Sequence, residues 1–232
     1  MIIFRTLLFS ALFICLFSAC SGPDNDQPEA AEEATEEIPE RKAGITPCML
    51  IQHKIADYQI WKKGFDEHES VRKKFDMKVL KVFRLTEDTN SIIFILEVRD
   101  FRAAYKYASS SELWETSKKL GVIGDPVLKM LNSDEYPAEQ VKSTCLFIQH
   151  QVEDHKIWKK GFDSYAGIRQ QNGLYALNVF YLDGNPNNVL VLMEVDNFKA
   201  AVKYALSQDL RGAMKKWGVI GDIEITPVVT VQ

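Results

Sequence analysis

Two patterns of apolar residues, one typical of strands and one typical of helices, alternate along the chain. Short runs of strand length, such as CMLIQH from Cys48, KVLKVFRL from Lys78 and SIIFILEV from Ser91, are separated by longer segments with apolar residues at three- and four-residue intervals. Alternating or short continuous apolar runs predict strands, and three- and four-residue spacing predicts amphipathic helices. The order of these elements is βαββαβ, which is typical of a ferredoxin-like unit.

The first helix is predicted from an N-cap at Asp57 to Lys74. Turn chemistry at Asn90 joins the two middle strands as a hairpin. The second helix, DFRAAYKYA, is expected to break at SSSEL, to restart with Ser109 and Glu112 as a capping box, and to stop at a glycine before the last strand, PVLKML. One face of the first helix should carry Ile60, Trp61, Gly64, Phe65, His68, Val71 and Arg72.

The whole pattern occurs twice. Cys48 recurs as Cys145 and Trp61 as Trp158, both 97 residues later, and roughly 35 of 78 aligned positions are identical, which indicates a tandem duplication. We therefore predict two α+β repeats, over 45–135 and 141–232. The strands are apolar on both faces, so each sheet needs cover on the side without helices. Packing the two sheets face to face supplies it and predicts an intramolecular α+β barrel, a monomer with an internal pseudo-dimer.

Several shared features carry a resemblance to a known superfamily. They are the Asp-x-x-x-Trp-Lys-x-x-Phe-Asp helix, the hairpin that ends in Glu-Val, the helix with Ala-Ala, Ser-x-x-Leu, and Gly-Val-Ile-Gly. Over both repeats the chain resembles the dimeric α+β barrel superfamily, near the antibiotic-biosynthesis-monooxygenase-like proteins. The resemblance implies a cavity in which some members act on substrates without a cofactor. The catalytic patterns of the cofactor-free oxygenases and haem-degrading members do not match, so no catalytic residue is carried over.

The first 44 residues have the features of a targeting signal followed by a linker. MIIFRTLLFSALFICLFSAC has a basic start, an apolar run and small residues before Cys20, and its end resembles a bacterial lipobox. We predict a lipoprotein signal peptide over 1–19, acylation of Cys20, and an acidic disordered tether over 20–44. An ordinary signal peptide is the alternative. Ser21 favours the outer membrane, facing the periplasm or the surface. The expected partners are membrane lipid and a small ligand.

The charge distribution limits the expected partners, and the positions of the cysteines indicate their redox state. The net charge is −4, and most of it comes from the tether. Without the tether, basic and acidic residues nearly balance and form no basic stripe, so nucleic acid is not an expected partner. Cys48 and Cys145 lie in apolar strands, where buried thiols are favoured over a disulfide.

A row of side chains on each first helix, together with the end of each first strand, forms the candidate ligand site. Arg72 and Arg169 either pair with Glu97 and Glu194 or await an anionic ligand, because a buried charge needs a partner. Strand parity places His53 with Met49 and Ile51 but does not say which face meets the helices. The candidate residues are His53, Trp61, His68 and Arg72 in the first repeat and His150, Trp158, Tyr165 and Arg169 in the second.

Other chemistry lacks a motif in this sequence. The four histidines lack His-x-x-x-His spacing, so no metal site is predicted. No cofactor is expected either. The GVIGD motif is interpreted as the end of a helix followed by a turn. Two functions remain open. One is a lipid-anchored binding or scaffold module for a small, partly apolar ligand or an envelope partner. The alternative is a cofactor-free monooxygenase-like enzyme that acts on a small aromatic substrate, with His53 or His150 as the base.

Overall fold

A computed structural model describes residues 44–134 and 144–231. The predicted signal peptide, Cys20 and almost all of the tether lie outside these residues. The elements of the first half are β1 (Thr46–Ile55), α1 (Tyr58–Glu67), α2 (Glu69–Lys74), β2 (Lys78–Leu85), β3 (Ser91–Glu97), α3 (Phe101–Ala108), α4 (Ser111–Lys119) and β4 (Val122–Ser133). Those of the second are β5 (Thr144–Val152), α5 (His155–Ser164), α6 (Ala166–Gln171), β6 (Leu174–Leu182), β7 (Asn185–Val195), α7 (Phe198–Ala205), α8 (Gln208–Lys216) and β8 (Val219–Thr230).

The eight strands close into one barrel in the order β1-β3-β2-β8-β5-β7-β6-β4. Each half contributes four adjacent strands in the ferredoxin-like order, and all the pairings are antiparallel. Two short junctions join the halves. The edge of β2 pairs with β8 from Phe83 to Leu85, and the edge of β4 pairs with β6 from Leu131 to Ser133. The predicted intramolecular α+β barrel is confirmed.

Strand alternation divides the core into three apolar clusters. Cys48 and Leu50 point into the barrel, where residues of both halves meet. Met49 and Ile51 point outward and pack under the helices of the first half, and a third cluster lies under the helices of the second. Every strand of the barrel is therefore covered on both faces.

Cys48 and Cys145, at equivalent positions of the two halves, are both buried in the barrel interior and form no disulfide. Burial, with the nearby Glu194 carboxylate, raises the pKa of Cys145 to about 12. The thiol therefore stays protonated and unreactive at neutral pH. Free buried thiols agree with the interpretation that the sequence favoured.

The first helix of each half differs from its prediction in two ways. Asp57 is the N-cap, as expected, and accepts a hydrogen bond from the Ile60 backbone N–H. The helix ends at His68, and a separate short helix carries Arg72. Ile60 was predicted on the buried face but is 58% exposed, because the surface in contact with the sheet is narrower than the apolar spacing suggested.

The second helix pair and the last strand also correct the prediction in detail. Ser110, rather than Ser109, caps α4 and accepts a hydrogen bond from the Leu113 N–H. Ser109 instead donates to the Tyr105 carbonyl at the end of α3. Gly121 ends the helix at φ +80°, as predicted. The following strand already starts at Val122, so GVIGD is strand with an irregular register rather than a turn. No helix among residues 44–134 and 144–231 is long and apolar enough to cross a membrane.

The closed barrel predicts the behaviour of an isolated half. Residues 45–135 alone would expose the interior cluster and the unpaired edges of β2 and β4, both of which favour association. We expect this fragment to form a dimer or larger species in analytical ultracentrifugation, whereas 45–232 stays monomeric. A monomeric fragment that unfolds cooperatively would contradict the dependence of each half on the other.

Candidate functional site

A cavity of about 90 Å³ lies between the sheet and the helices of the first half. Its floor is the outer face of β1 and β3, including Ile51, His53 and Phe94, and its walls come from the α1–α2 segment and from α3 and α4. An apolar cavity of roughly 150 Å³ is known to admit benzene. The present space is smaller than that, so a small aromatic ring would enter it only in part and extend into the open mouth of the cavity.

The Arg72 guanidinium is the only charged group among the described residues that line this cavity. Arg72 is 7% exposed. Its Nη1 donates a hydrogen bond to the Phe65 carbonyl oxygen at 2.7 Å, and its guanidinium carbon lies 4.0 Å from the centroid of the Phe65 ring. Its Nε is buried without a hydrogen-bond partner. Burial lowers the Arg72 pKa, yet an arginine remains charged in proteins.

The structure argues against one of the two sequence interpretations of Arg72, the ion pair with Glu97. Glu97 lies opposite Cys48 in the β1–β3 register, on the barrel side of the sheet, whereas Phe94 and the cavity are on the helix side. Strand parity therefore separates Glu97 from Arg72, and the predicted ion pair is wrong. Glu194 stands opposite Cys145 in the same way, so it is separated from Arg169. Within the described ranges no carboxylate forms a salt bridge with either arginine.

Two histidines also line the cavity, together with the hydroxyl-bearing side chains of Tyr107, Thr116 and Ser117. His53 lies on the helix side of β1, with its ring centroid 5.7 Å from that of Trp61 and 5.6 Å from that of Phe94. Burial lowers the pKa of His53 to about 4, so the imidazole is neutral at pH 7. His68 lies where α1 ends, four residues before Arg72. His53 Nε2 and His68 Nδ1 are buried and have no hydrogen-bond partner.

The equivalent space in the second half is nearly filled. It measures about 40 Å³ and is lined by His150, Trp158, Phe162 and Arg169, among others. Comparison at the 97-residue offset identifies the cause. Leu120 and Ser117 of the first half correspond to Trp217 and Met214 of the second, and both larger side chains line the smaller space.

Two glycines allow this packing. A Cβ added at Gly64 would lie 2.2 Å from the Leu120 side chain, and one added at Gly161 would lie 2.3 Å from the Trp217 ring. Both helices therefore need glycine so that the residue before the final strand can pack against them. In the second half the Trp217 ring also makes an edge contact with Tyr165 at 4.5 Å between centroids.

The candidate residues separate into an open set and a closed set. His53, Trp61, His68 and Arg72 line one cavity. His150, Trp158 and Arg169 line the smaller space, and Tyr165 packs on the tryptophan that fills it. The sequence interpretation did not place Tyr107, Ser117 and Leu120 at the site. Differences in side-chain size at the repeat offset were the available signal for the last two.

The described residues offer no metal centre. No group of three or more His, Cys, Asp or Glu side chains in residues 44–134 and 144–231 is arranged to hold a metal ion. The open cavity is also small for an extended cofactor, since ligand pockets of that class measure roughly 300–1,000 Å³. Its chemistry is that of an aromatic surface with the Arg72 cation, the neutral His53 imidazole and a second histidine, His68.

The buried His150 gives a pH dependence of stability. Burial lowers its folded-state pKa from 6.5 to about 4, so the unfolded state binds more protons between these values. Stability is then full above pH 6.5 and falls by about 3 kcal/mol as the pH drops to 4. We expect His150→Leu to flatten this part of a urea-unfolding pH series relative to the wild type. Parallel curves for the two proteins would contradict the assignment.

Comparison with known proteins supports the fold. No family model and no curated protein matches the chain. Among solved structures, it is similar to a "putative monooxygenase" from Lactobacillus acidophilus (11% identity, TM-score 0.50, 80% of this chain and 94% of that one). It is also similar to an anthrone oxidase-like protein (13%, 0.53, 81% and 92%) and to a "putative chlorite dismutase" (12%, 0.51, 81% and 95%). At these identities the likeness shows the fold alone, which is that of the dimeric α+β barrels.

Proposed function

We propose that the protein binds a small aromatic anion in the cavity of its first half. The observation that carries this proposal is the Arg72 guanidinium, which is buried beside an aromatic surface with no carboxylate among the described lining residues. A buried charge without a counter-charge is unfavourable. A carboxylate or similar oxyanion would supply the counter-charge, and an arginine binds such groups with strong, directional hydrogen bonds.

The rest of the cavity selects an aromatic body for the ligand. The Trp61 and Phe65 rings stack at 4.7 Å between centroids, and Phe94 meets Phe65 edge-on at 5.0 Å. Aromatic groups gain energy in stacked and edge contacts beyond what burial alone provides. The filled counterpart in the second half supports one site per chain rather than two.

A second candidate function is a monooxygenase-like reaction without a bound cofactor. It is favoured by the fold shared with proteins described as monooxygenase or anthrone oxidase-like and by the unprotonated His53 imidazole in the cavity. In such a reaction His53 would take a proton from an activated CH₂ group. Dioxygen would then react at that carbon. One of its oxygen atoms would become the carbonyl oxygen, and the other would leave as water. The low pKa makes His53 a weak base at neutral pH, which restricts the reaction to acidic C–H groups.

We also propose that the protein is attached to the cell envelope through an acylated Cys20, so that the tether presents the barrel near a membrane. The support for this is the sequence of residues 1–44 alone. A role as a scaffold for an envelope partner belongs to the same proposal. It requires the anchor but not the cavity.

Paired arginine variants test the ligand proposal. Arg72→Met and Arg169→Met remove matching buried charges, each stacked on a phenylalanine, so we expect both to change the free energy of unfolding by similar amounts, within about 1 kcal/mol of the wild type. Only Arg72→Met should abolish benzoate binding in calorimetry. Equal benzoate affinity in all three proteins would contradict the proposal. Oxygen consumption should be measured with an electrode during the same titrations of aromatic anions. Binding without oxygen consumption would separate a binding function from an oxygenase reaction.

The anchor has its own test. Cys20→Ala should move the protein from the membrane fraction to the soluble fraction of expressing cells, because the acyl chains that hold it are lost. Metabolic labelling with palmitate is the direct measurement, with Cys48→Ala as the control. Label that persists on Cys20→Ala would place the lipid elsewhere.

A further inference from the structure

The three basic side chains of the open cavity lie in two separate parts of it, and the hydroxyl-bearing Tyr107, Thr116 and Ser117 also line the cavity. His68 and Arg72 form one end, since the Arg72 backbone N–H donates to the His68 carbonyl oxygen at 3.0 Å. His53 forms the other end. Its ring contacts Trp61, Trp61 stacks on Phe65, and Phe65 in turn carries the guanidinium. Two aromatic rings therefore separate the imidazole of His53 from the cation.

Each end holds a buried polar atom without a hydrogen-bond partner. These are Nε2 of His53 at one end, and Nε of Arg72 with Nδ1 of His68 at the other. An unsatisfied buried polar group is costly, so each end favours a ligand group that completes its hydrogen bonds. An anion satisfies the arginine end. A neutral imidazole nitrogen either donates or accepts, depending on the tautomer, and a hydroxyl group matches both cases because it also does either.

We propose that the ligand is two-ended: an aromatic ring with an anionic group held by Arg72 and a hydroxyl group, on the opposite side of the ring, held by His53. This inference rests on the proposed binding function and specifies its ligand class as hydroxyaryl acids. The ring lies along Trp61 and Phe65. His53 acts as a specificity-determining residue, because it distinguishes a hydroxylated ring from a bare one.

The second half provides matched controls. His150 stands at the position of His53 and contacts Trp158 at 5.4 Å between ring centroids. Arg169 stands on Phe162 as Arg72 stands on Phe65. The space between them is only about 40 Å³, less than half of the open cavity, so substitutions there repeat the chemical change without touching the open site.

The test is calorimetric titration of the 45–232 body with benzoate, phenol, 4-hydroxybenzoate and 3-hydroxybenzoate. We expect the wild type to bind 4-hydroxybenzoate about ten-fold more tightly than benzoate, the effect of one additional hydrogen bond in a dry site. His53→Leu should remove that preference and leave benzoate affinity unchanged. Arg72→Met should weaken both acids and leave phenol unchanged, whereas His150→Leu and Arg169→Met should behave as the wild type.

The outcomes separate the two proposals. Benzoate binding that depends on Arg72, with no gain from the 4-hydroxyl group or a gain that survives His53→Leu, overturns the two-ended ligand and leaves the binding function standing. A preference for the 3-hydroxy isomer overturns the opposite placement of the two ends. Absence of binding by every acid overturns both proposals. If His53→Leu does not fold, the imidazole nitrogen NMR signals of wild-type His53 decide: 4-hydroxybenzoate, which hydrogen-bonds the ring, should shift them clearly further than benzoate does.

Discussion

Closure of the eight-stranded barrel is the constraint on which the other features depend. The strands face the barrel interior on one side and the helices on the other, so strand alternation assigns the buried apolar side chains to three clusters. A shift of one residue would exchange the two faces of a strand completely. The interior cluster belongs to both halves, and only two junctions of three residue pairs hold it closed. The main enclosed apolar spaces accordingly lie in the helix-covered layers.

The helix-covered layers of the two halves have the same arrangement of elements but differ in the side chains that fill them. Both place a glycine of the first helix against the residue that ends the second helix pair. Leucine at that position leaves a cavity, and tryptophan closes it. The arginines also differ in surroundings. Arg169 additionally lines a polar groove of about 190 Å³ with Lys159 and Asp163; Arg72 lines the aromatic cavity, and Asp66 and Glu69 act on its charge from outside that lining. Side-chain volume and local charge, rather than the fold, therefore decide which half holds the site.

The sequence predicted the architecture well because its signals are local and occur twice. Apolar spacing gave the order of elements, and strands that are apolar on both faces required a second sheet. Because β1 is apolar on both faces, the sequence did not show whether His53 points to the helices or into the barrel. The helix break at His68 was also hidden. The apolar spacing continues through it, and His68 has near-helical angles, φ −79° and ψ 4°, so Arg72 stays on the buried side.

Cavity volume could not be predicted, because it depends on contacts between elements distant in sequence. Gly64 and Leu120 are 56 residues apart, and nothing in the spacing of either helix brings them together. The supposed partner of Arg72 was misplaced for a related reason. Glu97 has a suitable charge and lies on a neighbouring strand, but parity turns it into the barrel. Charge complementarity in a sequence identifies possible pairs, and the face of the sheet selects among them.

The charges of the open cavity connect ligand binding to protonation. His53 has a lowered pKa because its cation would be desolvated, in a cavity that also holds the Arg72 guanidinium. The anion that we propose at Arg72 would bring a negative charge into this cavity, partly offset the cost of a charged imidazole and raise the His53 pKa toward its ordinary value. By linkage, protonation of His53 must then strengthen anion binding by the same factor. Acidification thus acts in two opposite directions, weakening the empty fold through its buried histidines while increasing the affinity of the cavity for an acid.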